Sequence, residues 1–337
     1  MARTRRLWRV PRNLPLVGHL AFGLVDRGTN LLQVRPTTLC PLSCIFCSVD
    51  AGPSSRKRAT EYLVSLDHLL EWFEAVARFK GVSEVQAHID SVGDPLTYPW
   101  IVELVERLSK MPMVGVVSLE THGARLTAKL ADALDDAGLS RINLSIDAVD
   151  PELAKKLAGA PWFDVKKVLE VARYIASSLR MDLLIAPVWV PGVNDREIPK
   201  LIEFALEIGA GKRWPPLGIQ KYEAHKYGRK PRGVRPMSWQ AFYRRLRRWE
   251  DEYGVKLILR PEDFGIRRAP SLPKVMRRGE KVKVRVVGPG WWRGQWLGEA
   301  RGRLVAIVGV RGEPPLGAEL ITRVLRDKDN IYVVEPV

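Results

Sequence analysis

Three cysteines, the only three in 337 residues, stand together as Cys40-Pro-Leu-Ser-Cys44-Ile-Phe-Cys47. Thiolates are soft ligands suited to zinc, copper(I) and iron–sulfur clusters. A structural zinc would need a fourth Cys or His close by. No second cysteine pair exists, and the nearest downstream histidine, His68, falls at the start of a helical pattern. A disulfide framework fails on the odd count. Three thiolates can hold a [4Fe–4S] cube and leave one iron open to a small ligand, a reading the spacing favours over zinc or inert buried thiols. Four further polar stretches could do chemistry: Asp90-Ser-Val-Gly93-Asp94-Pro95, Ser118-Leu-Glu120-Thr121-His122-Gly123, Ser145-Ile-Asp147 and Val190-Pro-Gly192-Val-Asn194-Asp195. Taken singly, each is also ordinary turn chemistry. An acid beside exposed glycine carbonyls can accept from an ammonium. Ser145 and Asp147 alternate, so both face one side. His122, a lone histidine in its loop, reads first as hydrogen-bonded structure and second as a cofactor or substrate contact, and His88, between Ala87 and Ile89, reads as structural.

The elements that position these stretches alternate strand and helix, the pattern of a parallel sheet with crossover helices. Strands are expected at 30–36, 84–89, 114–119, 141–146, 182–188 and 217–220. Helices are expected at 66–79, 100–110, 127–137, 151–157, 165–177, 197–208 and 238–253. Six such units predict a partial (β/α)6 TIM-like barrel, an α/β fold whose chemistry gathers at the C-terminal ends of the strands. The cysteines follow the first strand, and the four polar stretches follow the next four in register. After the sixth comes Gln220-Lys-Tyr-Glu-Ala-His225, leading into the basic loop Lys226-Tyr-Gly-Arg-Lys-Pro-Arg-Gly-Val-Arg-Pro236. Gln220, Tyr222, Glu223 and His225 are candidates to contact substrate there. A second basic run, Ser54-Ser-Arg-Lys-Arg58, follows the cysteines and reads as a loop of the same kind.

Cys-x3-Cys-x-Phe-Cys, with Phe46 before the third cysteine, resembles the cluster loop of the radical S-adenosylmethionine (SAM) superfamily. The stretches that follow resemble that family's motifs in order. Gly93-Asp94 is similar to its Gly-Gly-Glu motif, which grips the SAM amino group, with Asp94 shortening the reach. Glu120-Thr-His122-Gly resembles its Glu-Thr-Asn-Gly stretch, with His in place of Asn. The resemblance implies cluster ligation by Cys40, Cys44 and Cys47. It implies SAM contacts from Phe46, Gly93, Asp94, Glu120, His122, Ser145, Asp147 and the Gly192 turn. It also implies one-electron cleavage of SAM to methionine and a 5′-deoxyadenosyl radical, with a small donor such as a ferredoxin or flavodoxin. Lacking cysteines beyond the three, the chain does not fit branches that need a methyl-cysteine relay or auxiliary cysteine-bound clusters. No cobalamin-binding domain is evident.

Charge points to the partner. The formal net charge is +16, with twelve Lys/Arg against two acids between Gly211 and Glu250 and thirteen against seven between Ser271 and Val337. A basic surface so concentrated attracts polyanions by counterion release. The alternative is an Arg-rich solvated surface of a thermophile's protein. Residues 1–29 read as a basic N-terminal extension, 30–266 as the partial barrel, and 267–337, after a Pro-punctuated linker, as a small all-β barrel of OB type. That tail resembles a TRAM domain, an RNA-binding appendage, which gives the whole an archaeal-type layout. Expected RNA contacts are Arg229, Lys230 and Arg232, with Trp291, Trp292, Arg293 and Trp296, at least one of these tryptophans being exposed for stacking on bases. The basic N-terminus lacks a following apolar run, arguing against a signal peptide, and no stretch is long and apolar enough to span a bilayer. The expected setting is cytoplasmic, without membrane. The reading is a radical SAM enzyme modifying a nucleoside in RNA, tRNA foremost. The alternatives are a protein or small-molecule substrate, or an RNA-binding protein with a non-catalytic cluster.

Overall fold

A computed structural model describes residues 5–310 and 312–337. In chain order, the first part comprises β1 (Arg6–Arg9), β2 (Gly23–Asp26), β3 (Leu31–Arg35), β4 (Thr60–Leu63), α1 (Leu66–Lys80), β5 (Val85–Ile89), α2 (Ile101–Ser109) and β6 (Val114–Thr121). It continues through α3 (Ala128–Asp136), β7 (Arg141–Leu144), α4 (Pro151–Ala158), α5 (Val165–Ser178), β8 (Asp182–Ile185), β9 (Val188–Trp189), α6 (Glu197–Glu207), β10 (Gln220–Lys221) and α7 (Trp239–Tyr253). Local chemistry sets many of the ends. Thr127, Asp150, Asp164 and Ser238 accept from backbone N–H groups of the first turns of α3, α4, α5 and α7. Each satisfies donors that the helix itself leaves unpaired. Gly81, Gly159 and Gly254 end α1, α4 and α7 in the left-handed conformation.

One six-stranded sheet runs β2-β3-β5-β6-β7-β8. All neighbours from β3 to β8 are parallel, and β2 is an antiparallel edge strand. Beyond β8 the parallel sense continues through the Ile185–Leu217 bridge and the β9–β10 pair. Helices cover the sheet and bury apolar side chains such as Leu104, Leu108, Leu134, Leu201 and Ile202 completely. Each such burial is worth about 1.5–3 kcal/mol. The loops leaving β3, β5, β6, β7 and β10 all emerge at one end, where the cysteines lie.

The tail forms β11 (Lys281–Pro289), β12 (Trp296–Ala300), β13 (Arg303–Ile307), β14 (Glu319–Arg326) and β15 (Val333–Pro336). They close a barrel in the order β11-β12-β13-β15-β14 around Val284, Val286, Val305, Ile307, Tyr332 and Val334. The barrel is docked on the rest of the chain: Ala59 N donates to Trp291 O (2.9 Å), Tyr62 Oη to Pro289 O (2.8 Å), Leu304 N to Val17 O (2.9 Å) and Tyr332 N to Gly18 O (3.0 Å). Gly18, at φ 107°, permits this approach; a Cβ there would lie 2.3 Å from Leu304 O.

Two expectations are corrected here. The segment read as a basic extension is part of the core from Val10 onward, with Leu16, Ala21 and Phe22 fully buried and β1 paired in parallel with β4. None of the three tryptophans is exposed. Trp291 and Trp292 are 3% and 7% exposed and join the core of the main body, and Trp296 is half-buried. Trp291 and Trp292 instead bury their large apolar rings where the tail meets the main body. Among the described residues, no helix is long and apolar enough to cross a membrane.

Candidate active site

The loops at the C-terminal ends of the parallel strands enclose a cavity of about 390 Å³. Its wall includes all three cysteines, Phe46, Gly93, Glu120, His122 and Ser145, facing Gln220, Lys221, Tyr222, Glu223 and His225. Burial pushes the Cys40 and Cys44 thiols well above their ordinary range, a state that a bound cation reverses. The donor set fits a cluster better than a single ion. Three thiols share one cavity wall, and soft thiolates in that number suit an iron–sulfur cluster.

The site is held by a small network. Arg35 and Gln33 on β3 fix Asp90, with Arg35 Nη2 and Gln33 Nε2 at 2.7 and 2.8 Å from its Oδ2. His88 Nδ1 pairs with Ser118 Oγ at 2.8 Å, and its Nε2 lies 3.7 Å from Glu120 Oε2. Burial works to raise the Glu120 carboxyl, but the neighbouring His88, Gln220 and His122 side chains hold it below its usual range. His122 Nδ1 donates to Ser145 O (3.1 Å), and its Nε2 lies 3.9 Å from Cys44 Sγ. Gly93 is pressed against the loop that leads to the cysteines: a Cβ there would lie 2.1 Å from Leu39 O and 2.4 Å from Thr38 O.

Not every candidate reaches the cavity. Asp94 is 2% exposed and turned into the fold. It accepts from Leu96 N (3.0 Å), Thr121 Oγ1 (2.9 Å) and His122 N (3.4 Å). It therefore orders the Gly93 turn and does not line the wall as an ammonium acceptor. Asp147 is also buried, accepting from Val188 N at 2.8 Å with Oδ2 3.7 Å from His122 Nδ1. Burial raises its carboxyl to about 6. Gly192 is exposed and lines a separate groove with Asp150, Asp195 and Lys200. Its N–H donates to Asp195 Oδ2 at 2.7 Å, so that turn is self-contained.

The expected RNA contacts divide similarly. Lys230, Arg232 and Arg293 are exposed. Arg229 is directed inward: its backbone N donates to Cys47 O (2.8 Å), Nη1 to Cys44 O (2.8 Å) and Nη2 to Ala51 O, while Nε pairs with Asp50 (2.9 Å). Arg58, read as part of a basic loop, is completely buried. The sequence offered no signal for it, since Ser-Ser-Arg-Lys-Arg looks the same in water or in a core. Lys221 was also missed, although its place at the end of the sixth strand pointed to the cavity.

Comparison with known proteins agrees with this geometry. The model of the radical SAM superfamily matches residues 34–205, just over half of the chain. An uncharacterized protein of Methanocaldococcus jannaschii is 40% identical over 343 residues, covering 96% of this chain and 79% of that protein. The GTP 3′,8-cyclase of Rhizobium etli is 32% identical over 190 residues, 55% of this chain and 51% of the cyclase. This chain thus spans about half the length of the cyclases it matches. Among solved structures, SuiB of Streptococcus suis bound to precursor peptide SuiA superposes with a TM-score of 0.53 at 18% identity, over 71% of this chain and 48% of that one. That likeness concerns the fold alone. With three cysteines and the loops of successive parallel strands on one cavity, and with a family match over half its length, the chain belongs to the radical SAM superfamily.

Proposed function

We propose that this radical SAM enzyme modifies a nucleoside within RNA, with tRNA the foremost substrate. Cys40, Cys44 and Cys47 hold the [4Fe–4S] cluster, and the wall from Gly93 to Ser145 holds SAM. Bound there, the two cofactors supply one-electron cleavage of SAM and abstraction of a substrate hydrogen, with a ferredoxin or flavodoxin as donor. The protein's own residues position and enclose: Glu120, held below its usual range beside His88, offers an anionic acceptor. His122, fixed through Ser145 O, presents its second nitrogen beside Cys44. We read the parallel strands, with the added pair beyond β8, as a partial (β/α)6 barrel, and the tail as an OB-like domain of TRAM type.

The observation that carries the RNA reading is the cationic aromatic surface at the cavity mouth. Lys221, a wall residue, lies over the Trp239 ring at 4.7 Å. Trp239 stacks on Tyr243 at 5.6 Å and 24°, and the two are 53% and 40% exposed. Arg244, Arg247 and Arg248 on α7 and Lys230, Arg232 and Arg235 before it are exposed, and none forms an ion pair among the described residues. Stacking faces interleaved with unpaired cations suit unpaired bases and their phosphates. This platform takes the role first assigned to Trp291 and Trp292.

A second reading, a free nucleoside triphosphate in the same cavity, is favoured by the likeness to the cyclases. One anaerobic assay separates them: reconstituted protein with SAM and dithionite, scored for 5′-deoxyadenosine with bulk tRNA, with GTP, or with neither. Stimulation by tRNA, absent in Cys44→Ala, supports the first reading. Stimulation by GTP alone replaces it with the second, and a rate indifferent to both rejects both.

A further inference from the structure

The cysteine loop is held by two arginines, one covered by the tail barrel and the other in a segment stacked on it. Arg58 has no solvent exposure. Its Nη1 donates to Thr38 O (2.8 Å) and pairs with Glu61 Oε2 (3.1 Å), its Nε donates to Val49 O (3.0 Å), and its Nη2 to Val92 O. Thr38 lies two residues before Cys40, Val49 two residues after Cys47, and Val92 just before Gly93. One guanidinium thus joins both ends of the cysteine loop to the turn that faces it. A planar, five-donor fork can bridge diverging carbonyls in this way, whereas an ammonium cannot. The ring of Trp291, from the tail, covers that guanidinium at 5.2 Å.

Arg229 does the same from the other side, binding Cys44 O, Ala51 O and Asp50 while its own N–H takes Cys47 O. The segment before it is packed tightly, since a Cβ on Gly228 would lie 2.9 Å from both Cys47 O and Ser48 O. Tyr227 in that segment stacks on Trp292 at 4.8 Å and 14°. Lys57 Nζ donates to Lys226 O (3.1 Å) and Gly228 O (3.2 Å), tying the segment to the run that carries Arg58. Trp291 and Trp292 are themselves in contact at 4.2 Å.

We propose that Arg58 and Arg229 are positioning residues for the cluster loop, braced by Trp291 and Trp292, so that the tail barrel is a structural part of the cluster site. The loop between β11 and β12, one of those through which OB-type barrels take oligonucleotides, is committed here to the enzyme's own cysteine loop. Trp291 covers Arg58, Trp292 stacks on Tyr227 two residues before Arg229, and the arginines hold the carbonyls between which the thiols are spaced. Arg229 also places a fixed positive charge beside the loop, which favours the reduced form of whatever the thiolates bind.

The test uses the full chain, reconstituted anaerobically with iron and sulfide. The variants are Arg229→Met, Arg229→Lys, Tyr227→Ala and Trp292→Ala. Readouts are iron retained per chain against a chelator, the midpoint potential of the reduced cluster, and its EPR line shape with and without SAM. Arg229→Met is expected to retain iron roughly 10–100-fold more weakly, the range seen when groups supporting a metal's ligands are removed. Its potential should move negative and its spectrum should cease to respond to SAM. Arg229→Lys should restore the potential, which depends on charge, but not the SAM response, which depends on the fork. Tyr227→Ala and Trp292→Ala should weaken iron retention in the same direction, with Tyr227→Ala, a half-buried position, standing in if Trp292→Ala does not fold. Lowered melting temperatures with unchanged iron retention, potential and line shape would overturn the proposal. Failure of the unaltered chain to take up iron would instead reject the cluster assignment on which it rests.

Discussion

Replacing Gly93 by alanine tests how closely the cavity wall is built. The added Cβ would lie 2.1 Å from Leu39 O and 2.4 Å from Thr38 O, both backbone atoms of the segment entering the cysteine loop. Neither is the flexible end of a side chain, so relief requires the loop itself to move by about 1 Å, in an interior packed as densely as a crystal. Overpacking of this kind costs about 1–3 kcal/mol, and a displacement of ~1 Å near a reacting group lowers rates by roughly 10²-fold. Asp94 resists the movement from one side through Thr121 and Leu96, and Arg58 from the other through Thr38 O and Val92 O. The strain therefore falls on the Cys40 end of the loop. The assay is paired: thermal unfolding by circular dichroism, and SAM binding to reconstituted protein followed by the EPR of the reduced cluster. Gly93→Ala should lower the melting temperature by only a few degrees and abolish most SAM binding. Gly192→Ala serves as control: its Cβ meets nothing within 4 Å, and its φ of 76° penalises alanine by about 1 kcal/mol. It should leave SAM binding intact. If Gly93→Ala binds SAM as the unaltered chain does, the cavity assigned here is not the SAM site.

Leu104, fully buried on α2, should lose about 2–5 kcal/mol of stability as Leu104→Ala, read from denaturant melts. His19 is buried against Phe22, Tyr62 and Trp291, and desolvation, with Arg35 adding to it, lowers its pKa to about 4 from 6.5. The unfolded chain then binds the extra proton first. Its contribution, on the order of 3 kcal/mol, is complete above pH 6.5 and lost as the pH falls toward 4. His19→Asn should flatten that segment of the stability–pH curve, and an unchanged curve would refute the assignment. On the RNA reading, Trp239→Ala should weaken binding of single-stranded RNA by about 1–3 kcal/mol without altering the salt slope. Arg248→Ala should reduce that slope by about 1; titrations at several salt concentrations distinguish the two.

What the sequence determined by itself was local. The cysteine octet names its own chemistry because thiolate spacing within eight residues survives any fold. The parallel strands and their helices were legible because apolar periodicity and turn residues are short-range: strand 85–89 and helix 66–80 lie within a residue of the expected spans. The register of Gly93, Glu120, His122 and Ser145 with the cysteines followed from that alternation, and all four line the cavity. Tertiary structure decided everything that depends on what packs against a side chain. Arg58 and Arg229 sit in runs of exposed-looking cations, yet carbonyls of the cysteine loop capture them. Trp291 and Trp292 resemble a stacking surface, yet they close the contact between tail and main body. Asp94 follows its glycine as an acceptor should, yet Thr121 and Leu96 draw it inward. Composition records which groups can donate, accept or stack. Which partner each one meets is settled only when distant segments compete for it, and a buried arginine takes the carbonyls that packing brings within its reach.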